Sequence, residues 1–156
     1  MIEKIISGGQ TGADRGGLIA GKSLGLETGG TAPKGWKTEE GPYPALGHFY
    51  GLLEGPPGYT ARTRININDG DATLIVGNVH SPGSQRTLQM CQLLGKPYRV
   101  NPTAEALKEW IVRNGIEVLN VAGNRESVTP GIQEKTFRLL RAALVATMHD
   151  KAGEGD

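Results

Sequence analysis

Short apolar segments alternate with helical segments about four times along this chain of 156 residues. Two of the apolar segments, 71–77 and 116–123, contain continuous runs of Val, Ile and Leu, which are typical of strands buried on both faces of a sheet. The helical segments are predicted at 13–25, 83–95, 103–115 and 130–148. This alternation predicts an α/β fold with a mainly parallel sheet.

The composition narrows the range of partners. The 17 basic and 16 acidic residues give a formal net charge of +1, so no large basic surface is available for a nucleic acid. The single cysteine excludes an internal disulfide and agrees with a reducing compartment. No apolar run approaches the ~20 residues that cross a bilayer, and no signal-peptide pattern is present. We expect a cytoplasmic protein with one domain over 1–148 and a flexible tail over 149–156.

The segment 34–60 is difficult to assign to regular structure, because glycine and proline recur throughout it. We expect a long irregular loop there, and loops of this length commonly serve as lids or binding loops. A second polar stretch, 62–71, precedes a buried strand, and Asp69 and Gly70 can form an ordinary turn within it. Asp69 and Asp71 could hold a metal only with further oxygen ligands, and no other acid lies nearby in the sequence.

Three polar, glycine-containing loops follow predicted strands, at 7–14, 77–87 and 122–127. In an open parallel sheet the carboxyl ends of the strands lie at one edge, and ligands bind in the crevice beyond that edge. If the first two loops lead into helices, backbone N–H groups and the positive ends of the helix dipoles converge on one space. The sequence therefore predicts a site for a small anionic ligand, such as one that carries phosphate.

The first loop, SGGQTGAD, follows the predicted strand at 2–6. Glycine lets another molecule approach the backbone closely, and short polar side chains can bond to it. The first candidates for ligand contact are therefore Gly8, Gly9, Gln10, Thr11 and Gly12. Asp14 has two interpretations: an acid that stabilises the start of the following helix, or a site residue that holds a ribose hydroxyl or a cation.

In the third loop, AGNRES, Arg125 is the strongest cation for an oxyanion, because its planar guanidinium can donate paired, charge-assisted hydrogen bonds. Glu126 would orient that guanidinium, and Ser127 would cap the following segment. Lys34 and Gly35, which follow a second predicted extended segment at 28–33, either meet a phosphate or lie in a solvated loop.

Two predicted helices, 83–95 and 130–148, carry apolar residues over more than one face. Such helices are buried on more than one side. In a chain this short, we expect the second cover to be another copy of the protein, in a homodimer or homotetramer.

Four stretches in the order GGQTGADRGGL, GGTAPKGWKTEEGPYP, RTRININDGDATLIV and GIEVLNVAGNRES resemble the circularly permuted SLOG family, whose members are often labelled molybdenum carriers. The resemblance extends over about residues 2–148. It implies a Rossmann-like domain with three α/β/α layers, a nucleotide or nucleotide-like ligand, and a dimer or higher oligomer. It also implies roles in the site for Thr63, Asn66 and Asp69.

One loop departs from the related phosphoribohydrolases, which carry the pattern P-G-G-x-G-T-x-x-E. The comparable loop here is SPGSQRTLQM, in which Pro82, Gly83 and Thr87 match the pattern. Arg86 replaces the glycine before the threonine, and Met90 stands at the position of the catalytic glutamate. The resemblance thus implies partly retained phosphate binding without that carboxylate.

The predicted function is binding of a nucleotide-like, phosphate-bearing small ligand without catalysis. Two alternatives remain: hydrolysis of a nucleotide N-glycosidic bond, or carriage of the molybdenum cofactor, whose molybdopterin also carries phosphate. We assign no catalytic residue and no metal ligand. The predicted ligand-binding residues are Gly8, Gly9, Gln10, Thr11, Gly12, Asp14, Lys34, Gly35, Thr63, Asn66, Asp69, Gly83, Ser84, Thr87, Gly123, Asn124, Arg125, Glu126 and Ser127.

Overall fold

A computed structural model describes the backbone of residues 1–154 and the side chains of residues 1–145. The strands are β1 (Lys4–Ile6), β2 (Glu27–Gly29), β3 (Thr31–Ala32), β4 (Leu53–Glu54), β5 (Ala72–Val76), β6 (Tyr98–Val100) and β7 (Val118–Gly123). The helices are α1 (Ala13–Ser23), α2 (Ala45–Tyr50), α3 (Tyr59–Asp69), α4 (Pro82–Leu94), α5 (Ala104–Asn114) and α6 (Ile132–Glu154). None of the described helices is both long enough and apolar enough to cross a membrane.

The main sheet has five parallel strands in the order β2-β1-β7-β5-β6. The last strand of the chain, β7, lies at the centre, where Leu119 is in register with both Ile5 of β1 and Ala72 of β5. Helix α6 packs against α1 and α5 on one face, and α3 packs against α4 on the other. The prediction of an α/β, Rossmann-like fold with a parallel sheet is confirmed.

The main hydrophobic core lies between the sheet and the layer of α1, α5 and α6. Every residue of β5 is buried, as its continuous apolar sequence predicts. The predicted ends of α5 are also observed: the hydroxyl of Thr103 accepts from the N–H of Ala106 at 3.1 Å, and Gly115 ends the helix in the left-handed conformation.

The segment 34–60 contains regular structure, so the expectation of a long irregular loop was wrong. It forms a short 3-10 turn at Lys34–Trp36, then α2, then β4, which pairs with β3 in a separate two-stranded parallel sheet. Leu46, Tyr50 and Leu52 from this segment bury their side chains in a second apolar cluster with Leu18 and Ala32. Its glycines and prolines lie mainly between these elements, where they end one and begin the next.

The polar stretch 62–71 is also more regular than expected. Instead of preceding a turn, it forms most of α3, and Asp69 is the last residue of that helix. Only Asn66 and Ile67 of α3 are buried, so the helix has almost no apolar stripe by which its sequence could reveal it.

Helix α6 does not end at 148 but continues to Glu154. It therefore includes most of the segment 149–156, where we expected a flexible tail. The last two residues of that segment lie outside the described residues, as do the side chains after residue 145.

Candidate functional site

The loops after β1, β5 and β7 meet at the carboxyl edge of the main sheet, around a cleft of about 280 Å³. One wall comes from α3 and another from the first turns of α4. The cleft lies where β1 and β5 are separated by the inserted β7, the position at which open α/β sheets bind ligands.

The cleft brings together residues from all three predicted loops and from α3. The predicted site residues that line it are Gly8, Gln10, Asp14, Thr63, Asn66, Gly83, Ser84, Thr87, Gly123, Asn124 and Arg125. Those that lie outside its lining are Gly9, Thr11, Gly12, Lys34, Gly35, Asp69, Glu126 and Ser127.

Each glycine of the first loop packs closely against a different neighbour. A Cβ on Gly8 would lie 1.7 Å from Nη1 of Arg62, within the cleft wall. A Cβ on Gly9 would instead lie 2.6 Å from Cδ1 of Leu46 in the second apolar cluster. Gly12 has a φ of 80°, and a Cβ there would lie 2.3 Å from the carbonyl oxygen of Asn124. All three glycines thus allow close packing within the protein, and of the three Gly8 lines the cleft.

Asp14 and Arg62, which both line the cleft, form a buried ion pair. Nη1 of Arg62 lies 3.3 Å from Oδ2 of Asp14, and their side chains are 13% and 5% exposed. The same carboxylate oxygen accepts from the N–H of Gln10 at 3.2 Å. Burial raises the pKa of Asp14, although the charge of Arg62 opposes that shift. Asp14 therefore does more than stabilise a helix start: it holds the glycine loop and Arg62 together.

Nε of Arg62 is buried and has no hydrogen-bond partner among the described residues. Buried polar atoms in folded proteins are almost always hydrogen-bonded, so an unpartnered guanidinium N–H beside a cleft has capacity for a ligand. Arg62 was absent from the predicted site residues because α3 was not predicted. The signal lay in the spacing of Tyr59, Arg62, Thr63 and Asn66, which places polar groups on one face of a helix.

The side-chain amides of Asn66 and Asn124 are hydrogen-bonded within the protein, so they shape the cleft. Asn66 bonds both the N–H and the carbonyl oxygen of Thr31, at 2.8 and 2.9 Å. Nδ2 of Asn124 donates to the hydroxyls of Ser81 and Ser84, at 2.8 and 3.2 Å, and so fixes the start of α4 against β7. These residues position the walls to which a ligand would bind.

Thr11 and Ser127 lie beside the cleft and contact Glu39, a residue outside our predictions. Both hydroxyls donate to the Glu39 carboxylate, and the N–H of Ser127 donates to it at 3.2 Å. Nε of Arg125 is 3.9 Å from the same carboxylate. The hydrogen bonds from the hydroxyls of Ser127 and Thr11 lower the pKa of Glu39.

Glu126 has a structural role that differs from the prediction. Instead of orienting Arg125, its carboxylate accepts from the N–H groups of Gly131 and Gln133, at 2.7 and 3.0 Å, before and within the first turn of α6. The acid beside Arg125 is Glu39, which no local spacing could reveal because it is distant in sequence. Ser127 likewise bonds to Glu39 rather than capping α6.

Lys34, Gly35 and Asp69 lie away from the cleft. Lys34 is exposed, and the N–H of Gly35 donates to Glu54 at 2.6 Å. Asp69 is exposed at the end of α3, while Asp71 accepts from the N–H of Val118 at 2.8 Å, at the amino edge of the sheet. Within residues 1–145, no three His, Cys, Asp or Glu side chains are grouped so that they could hold a metal ion.

Comparison with known families agrees with this architecture. The model of the circularly permutated YpsA SLOG family matches residues 5–144. The chain belongs to this family. A crystal structure at 1.45 Å of a "putative molybdenum carrier protein" from Syntrophus aciditrophicus SB is 37% identical to this SLOG chain, with a TM-score of 0.83. The match covers 92% of this chain and 95% of that one. No curated protein matches the chain.

Met90, where the sequence resemblance placed the glutamate of the phosphoribohydrolases, lines the cleft on α4. Among the described side chains that line the cleft, Asp14 is the only acid, and it is already paired with Arg62. Three arginines line the same space: Arg62, Arg86 and Arg125.

Proposed function

We propose that this SLOG protein binds a small, phosphate-bearing, nucleotide-like ligand in the cleft and does not itself transform it. The observation that carries the proposal is the guanidinium of Arg62, held in the wall by Asp14 with its buried Nε unpartnered. With Arg86 and Arg125 also present and a single carboxylate, the lining has an excess of positive charge. An anionic group of the ligand would bond to Arg62 Nε and reduce this excess.

The start of α4 supports the same assignment. The first intrahelical hydrogen bond of α4 is donated by Gln85 to the carbonyl oxygen of Ser81, at 3.0 Å. Gly83 and Ser84, whose N–H groups precede this bond, line the cleft. Such first-turn N–H groups have no intrahelical acceptor and form a natural site for a phosphate oxygen.

The remainder of the ligand would contact the less polar part of the lining. Tyr59 and Val128 are 46% and 45% exposed, and Met90 lies nearby in the wall. An aromatic ring with an accessible face can stack on a nucleobase or another flat ring system. We therefore expect the phosphate near Arg62 and the ring of the ligand near Tyr59.

Carriage of the molybdenum cofactor is a second candidate, favoured by the name of the structural relative that is 37% identical. Such a ligand also carries a phosphate and would use the same arginines. Hydrolysis of an N-glycosidic bond is less well supported, because Met90 replaces the carboxylate and Asp14 is committed to Arg62 and Gln10. We further infer a cytoplasmic location. The one cysteine, Cys91, is free and buried, which agrees with a reducing compartment.

Calorimetric titration with AMP and with adenosine tests the proposal. AMP should bind at least about tenfold more tightly than adenosine, because a hydrogen bond to a charged group contributes about 1.5–3 kcal/mol. The double variant Arg62→Met/Asp14→Asn removes both charges of the buried pair and should reduce this preference about tenfold or more. Arg113→Met, which removes an exposed arginine on α5, is the matched control.

Equal affinity for AMP and adenosine would contradict a phosphate site. Mass spectrometry of small molecules that copurify with the protein, together with molybdenum analysis of the same sample, separates the two candidates. A copurifying pterin with molybdenum supports the carrier, and a metal-free nucleotide supports the primary proposal.

A further inference from the structure

Glu39 lies at the tip of a hairpin-shaped loop, residues 36–43, whose two arms are linked by backbone hydrogen bonds between Trp36 and Tyr43 and between Thr38 and Gly41. Its carboxylate is surrounded by donors: the hydroxyls of Thr11 and Ser127, the N–H of Ser127 and, at 3.9 Å, the guanidinium of Arg125. The donors come from the glycine loop and from the loop after β7. An internal anion therefore occupies a cradle that the rest of the chain forms.

We propose that Thr11, Ser127 and Arg125 form a second, separate subsite for a tetrahedral oxyanion, and that Glu39 fills it in the absence of that anion. The cradle offers two hydroxyls, one backbone N–H and one guanidinium, which are the groups that bind phosphate oxygens in proteins. The carboxylate of Glu39 takes the place of two of those oxygens.

Glu39 does not occupy the hydrogen-bond donors of Arg125. A separation of 3.9 Å is too long for a hydrogen bond, so the guanidinium contributes charge but retains its donors. Its side chain is 52% exposed and also lines the cleft. A tetrahedral anion has more oxygens than a carboxylate, and these could engage Arg125 while others bond to Thr11 and Ser127.

The contacts that hold the hairpin tip are of a kind that an external anion can replace. The N–H of Glu39 donates to Oε1 of Gln10 at 2.8 Å, and Glu40, which is 70% exposed, pairs with Arg15 at 3.2 Å. Gly35 and Gly41 flank the tip at φ values of 80° and 104°, which glycine adopts without strain. Displacing Glu39 therefore requires movement of a polar tip, with little loss of apolar packing.

The subsite shares only Arg125 with the cleft, so it does not depend on the identity of the cleft ligand. Titration with inorganic phosphate at constant ionic strength tests it. Glu39→Ala should bind phosphate at least about tenfold more tightly than the wild type, provided that Glu39 fills the cradle for nine-tenths of the time or more. Glu109→Ala removes an exposed carboxylate on α5 instead and should leave phosphate affinity unchanged.

Two double variants show where the additional phosphate binds. Adding Ser127→Ala to Glu39→Ala should abolish the gain, whereas adding Arg86→Ala, which alters only the cleft, should leave it intact. If Arg86→Ala removed the gain in phosphate affinity, the phosphate would lie in the cleft and the proposal would be overturned. If Glu39→Ala does not fold, Glu39→Gln decides, because a neutral amide holds the donors more weakly than a carboxylate. A folded variant without any gain in phosphate affinity would also overturn it.

Discussion

The guanidinium of Arg62 lies directly against the backbone of Gly8, so that a Cβ at residue 8 would be 1.7 Å from Nη1. The same nitrogen pairs with Asp14, 3.3 Å away. Residue 8 is therefore small because an arginine from α3 passes over it to reach Asp14. This relationship links the glycine loop to a helix that the sequence did not reveal.

Gly8→Ala should displace the Arg62 guanidinium without unfolding the protein. The methyl group meets the flexible end of a side chain rather than fixed backbone. We expect AMP affinity to fall at least about tenfold, because a charge-assisted hydrogen bond worth about 1.5–3 kcal/mol is lost. Calorimetry measures the affinity, and circular dichroism confirms the fold.

Gly83→Ala is the matched control, since it adds a methyl group to another glycine of the cleft lining where no atom lies within 4 Å. It should melt at the wild-type temperature or above, because alanine favours the helix. If Gly8→Ala retained full AMP affinity, the position of Arg62 would have no bearing on the ligand.

Arg125→Ala should weaken AMP binding about ten- to hundred-fold and leave the melting temperature unchanged. Arg125 lines the cleft but is half exposed, and an exposed pair at 3.9 Å adds almost nothing to stability. Arg125→Lys should recover only part of the affinity, because a point charge cannot reproduce the planar fork. Equal affinities for all three proteins would exclude Arg125 from the cleft site.

The stabilising effect of Glu39 should depend on pH with a definite sign. Its pKa is lowered in the folded protein, so its contribution is fully present above the ordinary value of 4.5 and is lost as the pH falls through the lower folded pKa. The difference in melting temperature between wild type and Glu39→Gln should therefore shrink toward acidic pH. Burial raises the pKa of Asp14, so its effect on stability changes with pH in the opposite direction. Asp14 is present in both proteins, so its effect cancels when the two melting temperatures are subtracted.

Glu40→Gln serves as the control for that measurement. Glu40 lies next to Glu39 but is largely exposed, and exposed ion pairs contribute little to stability. A Glu39→Gln difference that stayed constant, or grew, as the pH fell would contradict the hydrogen-bonded carboxylate described for the cradle.

We expect no more than trace release of adenine from AMP. The sequence resemblance places the hydrolase glutamate at Met90, which lines the cleft, and Asp14 is bonded to Arg62 and Gln10. Chromatography of the products over a long incubation measures the release. Robust turnover at micromolar enzyme would contradict this expectation, and Asp14→Asn would then show whether the remaining carboxylate performs it.

We propose that the protein self-associates through α4. Among the apolar residues of this helix Cys91 is fully buried, whereas Leu93 is 75% exposed. Leu93→Glu should shift the mass measured by light scattering toward the monomer, and Val112→Glu, at an exposed position on α5, should not. A monomeric wild type would overturn the proposal. The apolar spread of α6 has another explanation, since α1 and α5 both pack against that helix within one chain.

The alternation of apolar runs and helices predicted the main sheet because buried parallel strands such as β5 have an unmistakable composition. The convergence of three loops followed from the same argument. What the sequence did not reveal was α3, whose buried residues are few, and Glu39, whose partners Thr11 and Ser127 are distant along the chain. Both omissions concern polar groups, whose pairing is set by tertiary structure and leaves no periodic pattern.

The central position of β7 has a consequence for how the chain folds. Residues Lys4–Ile6 have β2 on one side, but their other neighbour, Val118–Asn120, is near the opposite end of the sequence. Until that late segment arrives, β1 and β5 belong to two unconnected half-sheets, each with an open edge. Pairing across so long a loop carries a large entropic cost before it gives any stabilisation, so this step should limit the rate of folding. During synthesis, the cleft is therefore complete only after β7 has left the ribosome.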